Sequence, residues 1–223
     1  MKKKKIDVHF FRSKTPEMLY VLGFFVADGS LHVTKTGGHY FSFYSIDRQI
    51  ISDIRKAIQS NHKLSKRIDK KTGNPCYRFQ VGSREMCEDL MGLGISGNKT
   101  NNLPILNLER NEFRDFVRGY FDGDGNVWSG IIHKDRKKTH MNVLLAFTSA
   151  SGDFLTFLKD TMTKHINTTG SLFKGKKNYY RLQYSKRDAF KIYNFMYNTG
   201  TSSFLMLYRK KRVFDTIIKN TQP

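Results

Sequence analysis

The chain has 223 residues, 39% of them hydrophobic, which is enough to bury a core and excludes a wholly disordered segment. Lys and Arg total 39 against 19 Asp and Glu, a formal charge of +20 with a pI near 10.0. That excess is larger than solubility asks of a domain this size, runs along the whole chain, and points to a polyanionic partner.

Met1-Lys2-Lys3-Lys4-Lys5 reads as a mobile basic arm. Asp7, His9 and Arg12 interrupt any apolar signal-peptide core, and no apolar run is long enough to cross a bilayer. The expectation is an intracellular protein, in bacterial or phage cytoplasm or an organelle. Nucleic acid is preferred to an anionic membrane, which would call for a basic amphipathic helix or a lipid anchor. Thr15 is an N-cap residue and Pro16 suits the first helical position, so a helix runs to Asp28. Alternation about Leu31 and Val33, a turn at Gly37-Gly38, and alternation through Phe41 and Phe43 give a hairpin. Ile50, Ile54 and Ile58 mark a helix face. A second hairpin covers Leu64 to Val81, turning at Thr72-Gly73-Asn74-Pro75. A further helix starts near Ser83, with Met86, Leu90 and Leu93 on one side. Cys76 and Cys87 lack zinc-ligand spacing and form no disulfide framework, and the seven histidines show no ligand spacing.

The pattern then repeats. Sliding TPEMLYVLGFFVAD (Thr15 to Asp28) by 96 residues lays it on NEFRDFVRGYFDGD (Asn111 to Asp124). Val21, Gly23, Phe25, Asp28 and Gly29 fall on Val117, Gly119, Phe121, Asp124 and Gly125. Both stretches begin on a capping residue, which predicts two helices of equal length. Tyr77-Arg78-Phe79-Gln80 matches Tyr180-Arg181-Leu182-Gln183 at an offset of 103, the difference being assigned to a longer hairpin tip at His133 to Lys138. The second half continues with a hairpin over Val127 to Ser149, a helix from Gly152 to His165, a hairpin over Gly170 to Ser185 and a helix from about Arg187. The predicted fold is α+β: two αββαββα halves, residues 1–104 and 105–223, each with an antiparallel sheet.

Gly23 and Ala27 lie four apart, as do Gly119 and Gly123, so each helix carries a stripe nearly free of side chains. Interior glycine costs helix stability, and close packing of the two stripes would repay it. Such a contact sets Asp28 beside Asp124 at two negative helix ends, a repulsion that a hard divalent cation relieves. On a strongly basic protein, metal held between carboxylates suggests phosphodiester hydrolysis. The bland reading, two aspartates serving only Asp-Gly turns, accounts for one copy but not for the shared stripe. Asp122 to Asn126 also resembles the start of an EF-hand loop, but Val127 and His133 occupy the required Gly and acid positions, which excludes it.

VLGFFVADG (Val21 to Gly29) and VRGYFDGDG (Val117 to Gly125) resemble the two LAGLIDADG motifs of single-chain homing endonucleases. The sixth-position acid is present only in the second, as Asp122, with Val26 in the first. The resemblance covers nearly the whole chain. It implies motif helices at the interface of a pseudo-twofold saddle of antiparallel strands, seated in the major groove of double-stranded DNA. It also implies double-strand cleavage across the minor groove, leaving 3′ overhangs at a long asymmetric target, in intron homing by a monomer. Carried over by position, Asp28 and Asp124 hold Mg²⁺ or Mn²⁺, aided by the carbonyls of Ala27 and Gly123, and Ca²⁺ would occupy the site without supporting cleavage. Lys99 and Lys210 take the place of a basic residue near each site, with Lys211 an alternative to Lys210.

Base contacts come from alternate strand residues. With Leu31, Val33, Phe41, Phe43, Phe79 and Val81 inward, the outward set is Ser30, His32, Thr34, Ser42, Tyr44, Arg78 and Gln80. Its second-half equivalents are Asn126, Trp128, Asn142, Thr148, Arg181 and Gln183. Ser45 and Ser149 align at strand ends and read as turn residues. The rival function is a cleavage-inactive DNA- or RNA-binding module on the same fold, a maturase or transcriptional regulator. The presence of both motif acids favours the nuclease. The chain starts with Met1 and ends Thr221-Gln222-Pro223 without a terminal His-Asn, so the expectation is a free-standing enzyme rather than an intein.

Overall fold

The computed structural model describes residues 4–70, 73–97, 103–132, 140–176, 179–198, 200 and 203–219. It divides into two compact units, Met1–Gly123 with Ser202–Met206, and Asp124–Thr201 with Leu207–Pro223.

In the first unit, α1 (Pro16–Asp28) starts where Thr15 accepts from the Met18 amide at 3.1 Å. Then follow β1 (Gly29–Val33), β2 (His39–Ser45), α2 (Arg48–Ala57), β3 (Leu64–Ile68), β4 (Pro75–Gly82) and α3 (Arg84–Gly92), the last capped by Ser83. The strands form one antiparallel sheet in the order β1-β2-β4-β3. Gly37 and Gly73, at φ of +84° and +69°, make the two hairpin turns, in a left-handed conformation that favours glycine. The inward row Phe41, Phe43, Phe79 and Val81 is fully buried under α1 and α2, with Phe43 stacked on Phe79 at 6.0 Å and edge-on to Phe25 at 5.2 Å. Burying each such ring is worth about 1.5–3 kcal/mol. Val33, expected inward, is instead exposed, because it ends the short edge strand β1 beyond the cover of the helices.

The second motif helix, α4 (Arg110–Asp124), leads out of this unit. It begins one residue before the expected Asn111 cap and is two residues longer than α1, so the equal-length expectation fails. The physical reason is a side-chain cap: Glu112 reaches back to accept from the Glu109 amide at 2.9 Å.

The second unit repeats the order: β5 (Gly125–Ile132), β6 (His140–Ser149), α5 (Gly152–Ile166), β7 (Ser171–Lys174), β8 (Tyr180–Ser185) and α6 (Lys186–Tyr197). Its antiparallel sheet runs β5-β6-β8-β7, the same arrangement as the first. The fold is therefore α+β with two αββαββα halves. Inward Leu145, Phe147, Leu182 and Tyr184 are buried with Phe154 and Leu158 of α5 and Ile192 of α6. The tip at His133 to Lys138 lies outside the described residues, but much of the extra length lengthens the ladder, since β5 and β6 have 8 and 10 residues against 5 and 7 in β1 and β2. A final helix, α7 (Tyr208–Lys219), is an element the sequence pattern does not predict. It is held to α6 by Phe214 against Tyr193 at 4.9 Å and by the Tyr193 hydroxyl, which donates to Asp215. No described helix is long and apolar enough to cross a membrane.

The repeat joint read from sequence lies near Pro104, whereas the compact units part after Gly123. The two differ because α4 packs on α1, within the first unit.

Candidate active site and nucleic-acid interface

The α1–α4 contact is a backbone-to-backbone approach. A Cβ on Gly23 would lie 2.0 Å from the Phe116 carbonyl oxygen, and one on Gly119 would lie 2.0 Å from that of Tyr20. One on Gly123 would fall 2.2 Å from the Ala27 Cβ and 3.3 Å from Asp28 Oδ2. Gly23, Ala27, Gly119 and Gly123 thus share one seam, and the last turn of α4 lies against the last turn of α1.

The seam is not symmetric. Arg114, Asp115, Arg118 and Asp122 of α4 are all buried, at the positions where α1 has Met18, Leu19, Leu22 and Val26. Asp115 accepts from Arg114 and Arg118, both at 2.9 Å, and the Arg118 guanidinium lies 5.4 Å from the Tyr20 ring centre. Tyr20 donates its hydroxyl to Asp122 at 2.6 Å, a direct bond from α1 to α4. These charges cancel in sign, and a buried ion pair roughly breaks even against apolar packing. Pairing specificity is therefore the better account of them than added stability. The sequence showed the asymmetry at Asp122 alone; the register of the repeat, read position by position, would have shown all four.

Asp28 and Asp124 each end a motif helix and are half-buried. In the second unit Thr148 donates its hydroxyl to the Asp124 carbonyl at 3.2 Å, and Lys210 donates to the Gly125 carbonyl at 2.7 Å. Lys210 and Arg209 line a cavity of about 180 Å³ with Gly125, Asn126, Val127 and Val213. Lys211 points elsewhere. Burial works to lower its pKa, but hydrogen bonds to Asp215 and Tyr193 outweigh this and raise it. Lys99 lies outside the described residues.

The outer faces of the two sheets match. In the first, one cross-strand row is Ser30, Ser42 and Gln80, and the next is Tyr44, Arg78 and Ser65. In the second, the rows are Asn126, Ala146, Gln183 and Ser171, then Thr148, Arg181 and Phe173. Two candidates differ from the reading as base contacts. Ser42 is on this face but only 4% exposed, a short side chain in the central strand. Thr34 lies past the end of β1, where its hydroxyl accepts from the Gly38 amide and closes the turn. His32 is exposed opposite Tyr40. The Trp128 indole is exposed and lies over Gly130, whose Cβ would be 2.4 Å from the ring. Asn142 accepts from the Val143 amide. The sequence reading missed Ser65, Arg67, Ser171 and Phe173 on the outer strands β3 and β7. The alternation that marks Leu64 inward would have found Ser65 and Arg67. Arg78 donates to Ser65 at 3.4 Å, whereas its counterpart Arg181 faces Phe173.

No family model matches the chain. Among curated proteins it is 24% identical over 231 residues to an uncharacterised protein of Methanocaldococcus jannaschii, covering 98% of this chain and 78% of that one. It is 31% identical over 110 residues to the DNA-directed RNA polymerase subunit Rpo1C of the same organism, and 24% identical over 212 residues to its replication factor C small subunit. The chain spans only 12% and 10% of those two proteins. Among solved structures, I-SmaMI bound to uncleaveable DNA is similar with a TM-score of 0.63 at 16% identity, covering 90% of this chain and 88% of that one. I-LtrWI, a LAGLIDADG homing endonuclease bound to target DNA, has a TM-score of 0.61 at 14% identity over 96% of this chain and 92% of that one. The homing endonuclease I-DmoI, in mesophilic variants, has a TM-score of 0.59 at 15% identity over 86% and 94%. With two motif helices joined through paired glycines and two like-ordered antiparallel sheets, the chain has the fold of the single-chain, two-motif LAGLIDADG homing endonucleases.

Proposed function

We propose that this protein is a site-specific endonuclease that makes metal-dependent double-strand breaks at a long asymmetric DNA target, as intron homing requires. The observation that carries the reading is the glycine seam. It sets Gly123 against Ala27 and Asp28, and Asp124 is the next residue in the chain. Solved neighbours of the same fold hold DNA, one of them with calcium ions present on an uncleaved target. The polymerase-subunit and replication-factor matches span small parts of proteins whose names share no function, which suits a module that moves independently of its surroundings. Residues 1–104 and 105–223 are the proposed duplication units.

The donor set fits a hard divalent ion. The candidate donors, the Asp28 and Asp124 carboxylates and the Ala27 and Gly123 carbonyls, are all oxygens, and the close Gly123–Ala27 contact brings Asp28 Oδ2 to the last turn of α4. Two carboxylates and two carbonyls would leave the remaining positions of a hard divalent ion to water and phosphate. When bound, Mg²⁺ would supply charge stabilisation at the scissile phosphate and an activated water. The chain's own part is placement. Asp28 and Asp124 would hold the ion, the Ala27 and Gly123 carbonyls would add oxygen donors, and the Lys210 ammonium, bonded to the Gly125 carbonyl, adds positive charge at the second motif end. Arg78, Gln80, Arg181 and Gln183 read base edges from matching strand positions, Arg suiting guanine and Gln adenine.

The test is selection of cleaved sites from a randomised duplex library with Mg²⁺. Enrichment of one long sequence is the predicted result. Enrichment of a bound sequence without cleavage would replace the enzyme with a binding module.

A further inference from the structure

The first unit holds a cavity of about 450 Å³ lined by Lys4, Asn61, His62, Lys63 and Gln80. Three backbone-anchored bonds build it. Lys5 N–H donates to Asn61 Oδ1 at 2.8 Å, Asn61 N–H donates to the Lys5 carbonyl at 3.1 Å, and Asp7 N–H donates to the Ile58 carbonyl at 3.1 Å. They lay the N-terminal segment along the turn after α2, where Gln59 is left-handed at φ of 52°. The arm expected to be mobile is thus tied down at Lys5; Lys2 and Lys3 lie outside the described residues. Lys63 immediately precedes β3. Because Leu64 pairs with Phe79, one step back along that ladder brings Lys63 to Gln80, extending the row Ser30, Ser42, Gln80.

The lining is rich in donors. His62 N–H donates to Ser60 Oγ at 3.1 Å, and the Ser60 hydroxyl lies 2.8 Å from His62 Nδ1. Burial first, then the charge of Lys4, lower the pKa of His62 and keep the ring neutral. Two ammonium groups, an imidazole and two amides face one space, and no acidic side chain is among the described residues lining it.

We propose that this pocket takes a backbone phosphate of duplex DNA and clamps the target on the flank met by the first sheet. The clamp rests on the DNA-cleavage reading above and adds an anchor that the matching strand position of the second sheet does not carry. At the matching position the second sheet has Ser171, beside Gln183, in place of a lysine. One phosphate clamp on one side would help fix the orientation of an asymmetric target.

The test is the Lys4→Ala/Lys63→Ala variant of the full chain, in which both side chains replaced are exposed. Binding to a selected duplex is followed across salt concentration and across a scan of neutral methylphosphonate linkages. The clamp predicts a salt slope shallower by about 0.9 for each phosphate lost. It also predicts an equal proportional loss on matched and unrelated duplexes, and at least one linkage that weakens the wild type but not the variant. An unchanged slope with every linkage effect retained overturns the clamp while leaving the DNA-cleavage reading intact. A wild-type protein that bound no duplex would sink that reading and the clamp together.

Discussion

One hydroxyl distinguishes the two ends of the helix seam. Under the repeat, Tyr20 corresponds to Phe116 and Val26 to Asp122. The observed pairing therefore gives the buried Asp122 carboxylate a donor, which Phe116 in the exchanged position could not supply. Tyr20→Phe removes that donor and is expected to cost about 1–3 kcal/mol, read as a lower denaturation midpoint. Adding Asp122→Val should recover much of the loss, because both partners are then apolar; strictly additive losses in this double-mutant cycle would refute the coupling. His62 gives a second residue-level prediction. Its folded pKa lies below the ordinary 6.5, so its contribution to stability is fully present above pH 6.5 and is lost as pH falls toward the folded value. Melting temperature measured against pH should therefore fall more steeply on the acid side for the wild type than for His62→Gln.

At the scale of elements, the motif helices were the most legible part of the sequence. A glycine at one fixed distance before a closing Asp-Gly recurs 96 residues on, and interior glycine costs a helix stability that close packing repays. Gly119→Ala tests that reading sharply. Alanine gains about 1 kcal/mol of helix propensity. A Cβ 2.0 Å from a backbone carbonyl cannot be accommodated by a rotamer change, so the helices must separate. Overpacking costs about 1–3 kcal/mol and more where backbone must move, so the clash wins and the melting temperature drops; an unchanged or raised value would count against the seam. Other elements were hidden for definable reasons. α7 follows the apolar run Phe204 to Leu207, which offers no capping residue before Tyr208, and its apolar face is carried by Phe214 and Ile217 among basic residues. The start of α4 depends on Glu112 reaching back to a backbone amide, which the more obvious Asn111 cap concealed. The inward rows of β2 and β4 were readable from Phe41, Phe43, Phe79 and Val81. Thr34 and Val33 went astray because strand ends escape the two-residue period that the middle obeys.

For the whole molecule, charge was the first legible property. Six to ten phosphate contacts would lose about 10³–10⁵ in affinity between roughly 50 and 200 mM salt. A protein at +20 is expected to show a loss of that order in a filter-binding or anisotropy titration. Near-constant affinity would remove DNA from the account. The candidate site was legible as residue types, Asp28, Asp124 and a nearby lysine. Lys210 and Lys211 are adjacent in sequence, and their partners separate them: Lys210 meets the Gly125 carbonyl, whereas Lys211 pairs with Asp215. The central claim is that two aspartates from the two halves form one cutting site. It is tested most directly by assaying Asp28→Asn and Asp124→Asn on a selected target with Mg²⁺, scoring double-strand breaks and binding side by side. Each variant is predicted to lose double-strand cleavage by about 10³-fold or more, the scale of removing one preorganised electrostatic element, while still binding the duplex. Wild-type cleavage by either variant would contradict it.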